Sequence, residues 1–148
     1  MVEVNMLRID VVAVLVATAV SFILGFIWYA KLFAKPWMRE MGYDPNMKPD
    51  GKTMAKGMAL MVIGNYLCAW VLAFYVAGWR FIPGTAQLGT LSFAMNSALS
   101  VWIGFFVPVH FSRVVWEKHS WKLFFINSGY HLVATGVVAL ILAYGISQ

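Results

Sequence analysis

The sequence predicts an all-α membrane protein in which four transmembrane helices form a compact bundle. Hydrophobic residues make up 61% of the 148 residues and charged residues only 11%, whereas soluble domains usually carry about 25% charged residues. Four long runs contain no Asp, Glu, Lys or Arg, namely residues 11–30, 57–79, 81–112 and 123–148. Each run reaches the roughly 20 residues that a helix needs to cross the hydrocarbon core. Because the runs are apolar on all sides, without the alternation of a membrane-barrel strand, we expect helices.

The helices are predicted near residues 9–30, 58–78, 88–110 and 122–145, in a single domain that covers residues 1–148. The Pro83-Gly84 pair predicts a short turn between the second and third helices. Pro108 lies in the last turn of the third helix, where the missing N–H of proline predicts a kink or an end.

Residues 31–57 form the one long predicted loop. Within it, the segment Pro36-Trp37-Met38-Arg39-Glu40-Met41 predicts a short interfacial helix. Its proline suits a first helical turn, and its Trp and Met side chains suit the headgroup region. The lysines of the loop either bind anionic lipid or simply follow the charge rule for inner loops.

The basic residues predict the orientation. Nine of the eleven lysines and arginines lie in or beside the first and third loops. The positive-inside rule therefore places residues 31–57 and 111–121 in the cytoplasm and both termini outside. The residues expected at the inner lipid headgroups are three aromatic and three basic side chains, Trp28, Tyr29, Trp37, Lys31, Lys35 and Arg39.

Small residues recur at steps of four along the first helix, at Ala13, Ala17, Ser21 and Gly25. Positions four apart share a helix face, and small residues on that face let a neighbouring helix approach closely in lipid. Similar rows occur in the second helix (Ala69, Ala73, Ala77) and in the fourth helix (Thr135, Ala139, Ala143). We therefore expect tight packing, against helices of the same chain or of a second copy.

A short internal match points to two parallel-repeat hairpins. Gly25-Phe26 is followed by Trp37, and Gly104-Phe105 is followed by Trp116 at the same spacing. Both matches lie where a predicted helix reaches the inner face, as a parallel repeat requires. Because Gly, Phe and Trp are abundant in this chain, a chance match is the alternative.

Five polar residues inside the predicted helices are the candidates for ligand binding or permeation: His131, Asn127, Asn65, Asn96 and Ser21. Asn127 and His131 are four residues apart and share a helix face. At about 1.5 Å per residue, His131 and Asn65 lie roughly 10–14 Å from the inner border and Asn96 and Ser21 near the middle, so these groups could meet in one polar layer. Ionisable groups inside a membrane commonly have a function. The alternative is that these groups only hydrogen-bond the helices together, at about 0.6–2 kcal/mol each.

The sequence predicts no metal, no cofactor and no catalytic residue. His110 is expected at the inner end of the third helix and His119 in a loop, so neither shares a depth with His131. Paired axial ligands for a haem and the clustered ligands that zinc requires are therefore not expected. Topology accounts for the net charge of +5, and no recognisable module for nucleic acid is present, so that partner is not expected either.

Several stretches resemble a known family. Gly25-Phe26-Ile27-Trp28-Tyr29, with the later Phe33, Pro36-Trp37 and Gly42, resembles the opening signature of a bacterial membrane-protein family labelled domain of unknown function seventeen sixty-one. Residues 102–105 and 127–132 are similar to its later stretches. The resemblance covers nearly the whole chain and implies a four-helix protein of the bacterial inner membrane. It brings no known activity, so no catalytic residue follows from it.

Three functions are compatible with the sequence. The first is an oligomeric transporter or channel for a small solute or ion, with the polar layer as its path and His131 as the proton carrier of a proton-coupled version. The second is an accessory or scaffolding subunit of a larger membrane complex, favoured by the small-residue faces. The third is a lipid- or quinone-acting enzyme, which usually requires a nucleophile, a carboxylate or a metal beside the base. The expected partners are the lipid bilayer and either further copies of the chain or the subunits of a complex.

Overall fold

The computed structural model describes residues 9–44, 50–79, 81–84 and 87–145, and the regular structure in these ranges is helical. The helices are α1 (Val11–Leu32), α2 (Ala34–Glu40), α3 (Gly51–Trp79), α4 (Thr90–Trp116) and α5 (Trp121–Gly145). All except α2 are long and apolar enough to cross a membrane. The predicted fold class, an all-α membrane protein with four spanning helices, is confirmed.

Side chains cap the starts of two spans. The Asp10 carboxylate accepts hydrogen bonds from the backbone N–H groups of Val12 and Ala13, at 2.9 and 3.1 Å. At the start of α5, the Ser120 hydroxyl accepts from the backbone N–H of Leu123 at 3.1 Å. The first N–H groups of a helix have no partner inside the helix, so such caps fix where it begins.

Two spans extend further than the sequence predicts, both toward the end of the bundle that carries the first and third loops, which we call the basic end. The helix predicted over 58–78 begins at Gly51, and the helix predicted over 88–110 continues to Trp116. A charged residue ends a stretch of apolar residues but does not end the helix, because the helix can continue into the headgroup region. The predicted loops 31–57 and 111–121 are correspondingly shorter. The first contains α2, which confirms the predicted short helix.

The first and third spans each contain one turn of π-helix, over Trp28–Leu32 and Trp102–Phe106. The second of these turns comes directly before Pro108, whose ring would collide with a carbonyl of the preceding turn in a regular α-helix. Pro108 therefore lies inside a continuous span rather than at its end. The two turns correspond at Trp28 and Trp102, not at the glycines of the sequence match, and the parallel repeat stays a prediction.

The last span, α5, lies at the centre of the bundle and packs against α1, α3 and α4. Half of its most apolar window is buried, compared with 11% for α4. The predicted small-residue rows of α1, α3 and α5 are buried within the chain. Helices α3 and α4 touch each other at few positions, so a gap opens between them over α5.

Candidate functional site

Two cavities lie next to each other along the bundle. The basic-end cavity has a volume of about 460 Å³ and is lined by residues of all five helices, with Met58 and Met61 contributed by α3. The mid-span cleft has a volume of about 430 Å³ and occupies the gap between α3 and α4. His131 of α5 lines both cavities.

Aromatic and imidazole rings surround His131. The Phe106 ring stacks on the His131 ring with centroids 4.2 Å apart and planes 15° apart. The rings of His110 and Tyr130 lie at centroid distances of 5.2 and 5.1 Å from it. The Phe106–His131 stack therefore stands at the boundary between the two cavities.

His110 also lies at the candidate site, which was not predicted from the sequence. It lines the basic-end cavity, its side chain is 5% exposed, and its Nε2 atom is buried without a hydrogen-bond partner among the described residues. The predicted difference in depth from His131 is wrong, because the centroids of the two imidazole rings lie 5.2 Å apart. His110 is not at the end of its helix, since α4 continues to Trp116. Phe106, His110 and Arg113 follow at helical spacing, which is the signal that marks this face of α4.

The basic-end cavity combines a few polar groups with a largely apolar wall. The Tyr29 hydroxyl donates to Oδ1 of Asn127 at 3.1 Å, and both residues line the cavity together with Arg113 and His119. The apolar part of the wall consists of aromatic and thioether side chains, among them Phe22, Phe26, Trp37, Met41, Met58 and Met61.

The mid-span cleft brings Ser21 and Asn65 to the other side of His131. Nδ2 of Asn65 is buried and has no hydrogen-bond partner in the described part of the chain. Ser21 is buried, and its carbonyl oxygen accepts a hydrogen bond from the Tyr130 hydroxyl at 3.3 Å. Four of the five predicted polar residues therefore lie along the two cavities.

Asn96 is the exception. Its neighbours Phe93, Ala94 and Ser97 are buried against the bundle, whereas Asn96 itself is exposed. Its side chain donates to the backbone oxygen of Ser92 at 2.8 Å, within the same helix. Asn96 was predicted in the polar layer from its depth alone. Its position around the axis of α4 directs its side chain away from the other four residues.

Two of the predicted interface aromatics hydrogen-bond into the bundle. Tyr29 reaches Asn127 as described, and Nε1 of Trp28 donates to the backbone oxygen of Ile126 at 3.0 Å. From the other side, Nε1 of Trp102 donates to the backbone oxygen of Ser128 at 2.8 Å. The indoles that open the two π-turns thus bind α5 on either side of Asn127. The predicted basic interface residues, Lys31, Lys35 and Arg39, are exposed.

The short helix α2 covers the basic-end cavity. Trp37 and Met41 contribute to the cavity wall, and the Trp37 ring lies 5.6 Å from the Tyr29 ring. Glu40 joins α2 to the start of α5, because its carboxylate accepts from the Ser120 hydroxyl at 2.5 Å and lies 3.7 Å from Nζ of Lys122.

The charges of the residues that line the two cavities determine which kind of ligand would fit there. Arg113 is the permanent cation of the basic-end cavity, and within the described ranges no Asp or Glu side chain lines either cavity. The same ranges contain no group of three or more His, Cys, Asp or Glu side chains placed to hold a metal ion. An anionic or neutral ligand with an apolar body fits these surroundings better than a cation does.

The fold and the cavities define a small four-span membrane protein with a ligand-sized interior. The model of the family described as "Protein of unknown function (DUF1761)" matches residues 12–143, so the chain belongs to this family, and the resemblance drawn from the sequence is confirmed. No curated protein and no solved structure matches the chain.

Proposed function

We propose that the chain is a transporter for small amphipathic anions, with a path that joins the basic-end cavity to the mid-span cleft at His131. The supporting observation is that His131 lines both cavities, with Phe106 stacked on it. A solute that moves between the cavities has to displace this ring pair. The pair therefore acts as the gate of the proposed path.

The walls match such a solute in polarity and in charge. Their apolar side chains favour an apolar body, and Arg113 attracts a negative head because no lining carboxylate among the described residues competes for it. A cation in this cavity would be repelled by the positive charge of Arg113, and the exposure of Arg113 to solvent reduces this repulsion without reversing its sign.

Buried polar atoms without hydrogen-bond partners provide binding positions for the head group of the solute. Nε2 of His110 in one cavity and Nδ2 of Asn65 in the other are buried and have no partner among the described residues. A buried polar atom without a hydrogen bond costs about 1–3 kcal/mol. A head-group oxygen or hydroxyl that binds them in turn relieves this cost on each side of His131.

The test is uptake into proteoliposomes that contain the purified protein. The probe is a radiolabelled aryl sulfonate, because a sulfonate stays charged at all working pH values and crosses bare lipid slowly. We expect uptake above that of protein-free liposomes, and a loss of about tenfold for Arg113→Gln, equivalent to one charge-assisted contact. Arg39→Gln removes an exposed arginine outside both linings and should transport like the unmodified protein.

Two outcomes would reject the proposal. One is aryl sulfonate uptake no faster than in protein-free liposomes. The other is preferred uptake of the matched aryl ammonium ion, since the charge argument forbids it.

An accessory subunit of a larger complex is the second candidate, and the small buried fraction of α4 supports it. Although α4 packs against α5 along one side, this small buried fraction leaves much of its surface available to another protein. Purification of the native protein in mild detergent would separate the two candidates. Stoichiometric foreign subunits favour the accessory role, and a preparation that contains this chain alone counts against it.

A further inference from the structure

A row of small and polar residues lies on the outer face of α4. Ser92, Asn96 and Ser100 follow at steps of four and are exposed, as is Gly104 one step further. At about 1.5 Å per residue from the start of α4, Asn96 lies roughly 9 Å and Ser100 roughly 15 Å along the span. Asn96 and Ser100 therefore lie at the depth of the hydrocarbon core, whereas Ser92 lies near the start of the span.

The row is directed away from the bundle and from both cavities. The buried residues of α4, among them Ala94 and Ala98, face α5. The residues by which α4 lines the cavities are Val101, Phe105, Phe106, His110 and Arg113. The row occupies a different side of the helix and takes no part in the proposed path.

Lipid cannot satisfy the Asn96 amide. One of its N–H groups donates to the Ser92 carbonyl at 2.8 Å, and no described residue donates to its Oδ1 atom. An amide without a full set of hydrogen bonds is unfavourable in hydrocarbon, and a hydrogen bond to a neighbouring helix relieves this cost.

We propose that α4 pairs with α4 of a second copy of this chain through the row Ser92, Asn96, Ser100 and Gly104. An amide carries both a donor and an acceptor, so two Asn96 side chains satisfy each other. Two copies inserted in the same direction are related by a two-fold axis along the membrane normal, which places each residue of the row against its own counterpart. The small residues Ser92, Ser100 and Gly104 beside Asn96 permit the close approach that this pairing requires.

Cysteine cross-linking tests the geometry of the pair. In a Cys68→Ala background, single cysteines at Ser92 and Ser100 should form disulfide-linked dimers on oxidation in native-like membranes. Leu91→Cys is the control matched to Ser92, because Leu91 is exposed at the depth of Ser92 on another side of α4. We expect at least fivefold more dimer from the two row positions than from Leu91.

The contribution of the amide is measured separately, by fluorescence energy transfer between labelled copies in liposomes of decreasing protein content. Asn96→Leu should weaken dimerisation by about tenfold, the effect of a polar interhelical contact of this kind. Gly104→Ile should weaken it as well. Gly64→Ile is the control, since an added Cβ meets nothing within 4 Å at either glycine of the single chain. Unchanged helical circular dichroism shows that the variants still fold.

A monomeric protein at all dilutions would overturn the proposal. So would cross-linking strongest at Leu91, or a foreign protein bound to the row in place of the second copy. Dimerisation is measured without any solute, so its outcome is independent of the transport assay.

Discussion

Replacing Gly25 by alanine tests how closely α1 packs on α5. An added Cβ at this buried glycine would lie 3.1 Å from the Tyr130 hydroxyl and 3.5 Å from Cζ. Tyr130 is 5% exposed, its hydroxyl donates to the Ser21 carbonyl at 3.3 Å, and its ring lies 5.1 Å from the Tyr29 ring. The hydroxyl therefore has little room to retreat.

The expected change in the free energy of unfolding follows from these distances. Overpacking by one methyl group costs about 1–3 kcal/mol, while Gly→Ala in a helix returns up to about 1 kcal/mol. Gly64→Ala gains helix propensity without any overpacking, because its new Cβ meets nothing within 4 Å. We expect Gly25→Ala to be less stable than Gly64→Ala by about 1–2 kcal/mol. When Tyr130 is replaced by phenylalanine, the atom nearest to the new Cβ of residue 25 is Cζ, at an ordinary contact distance of 3.5 Å. The stability difference between Gly25→Ala and Gly64→Ala should then fall below about 0.5 kcal/mol.

The assay is reversible unfolding by SDS in mixed micelles, followed by circular dichroism. Both glycine variants are measured with Tyr130 and with Tyr130→Phe, so each penalty is read against its own background. Equal stabilities of the Gly25→Ala and Gly64→Ala proteins would refute the packing argument. A penalty at Gly25 that persists with phenylalanine at position 130 would refute the role of the hydroxyl.

Two further predictions concern contacts between the elements. Glu40→Gln removes the ionic part of the link between α2 and α5, so hydrogen exchange of the α2 amides should become several-fold faster with a stability loss under about 1 kcal/mol. Glu117→Gln changes an exposed carboxylate and should leave α2 exchange as it is; equal exchange in both variants would contradict the docking role of Glu40. Trp28→Phe and Trp102→Phe each remove one indole hydrogen bond to α5, and each should cost about 0.6–1.7 kcal/mol in SDS unfolding. Trp116→Phe, at an indole that is 82% exposed, should cost less than either, and a larger loss there would contradict the assignment.

The spans and their packing faces could be predicted from the sequence because both depend on local patterns. Runs of about 20 apolar residues indicate a crossing whatever the neighbouring helices do. A small residue at every fourth position marks one face of a helix without knowledge of its partner. The buried residues Ala13, Ala17 and Ser21 follow this rule. The burial of Gly25 against Tyr130 shows that the row serves packing inside the chain.

Helix ends could not be predicted in the same way, because hydropathy reports the thickness of the hydrocarbon and not the length of the helix. Lys52 and Lys56 are charged yet belong to α3. Arg113 is charged yet belongs to α4. Such residues extend a helix into the headgroup region, where water and lipid headgroups solvate them.

The candidate site was only partly predictable, because depth can be counted from a sequence whereas rotation cannot. His131 is found because an ionisable group inside a span is unusual. Asn96 is included and His110 omitted because both judgements relied on depth. The π-turn before Pro108 adds to the difficulty, since it shifts the register of every later residue on α4 by about one position. No local propensity in the sequence reports such a turn.

The two faces of α4 therefore differ in their contacts. Its bundle side carries Phe106 and His110 to His131, and Trp102 fixes that side to α5. Its exposed side carries Asn96, whose amide donates to the backbone of the preceding turn and makes no side-chain contact with another helix among the described residues. If α4 of a second copy covers Asn96, the gap between α3 and α4 lies beside the dimer contact rather than within it. Each copy then keeps its own path, so a variant such as Asn96→Leu should separate the copies while each retains its uptake rate.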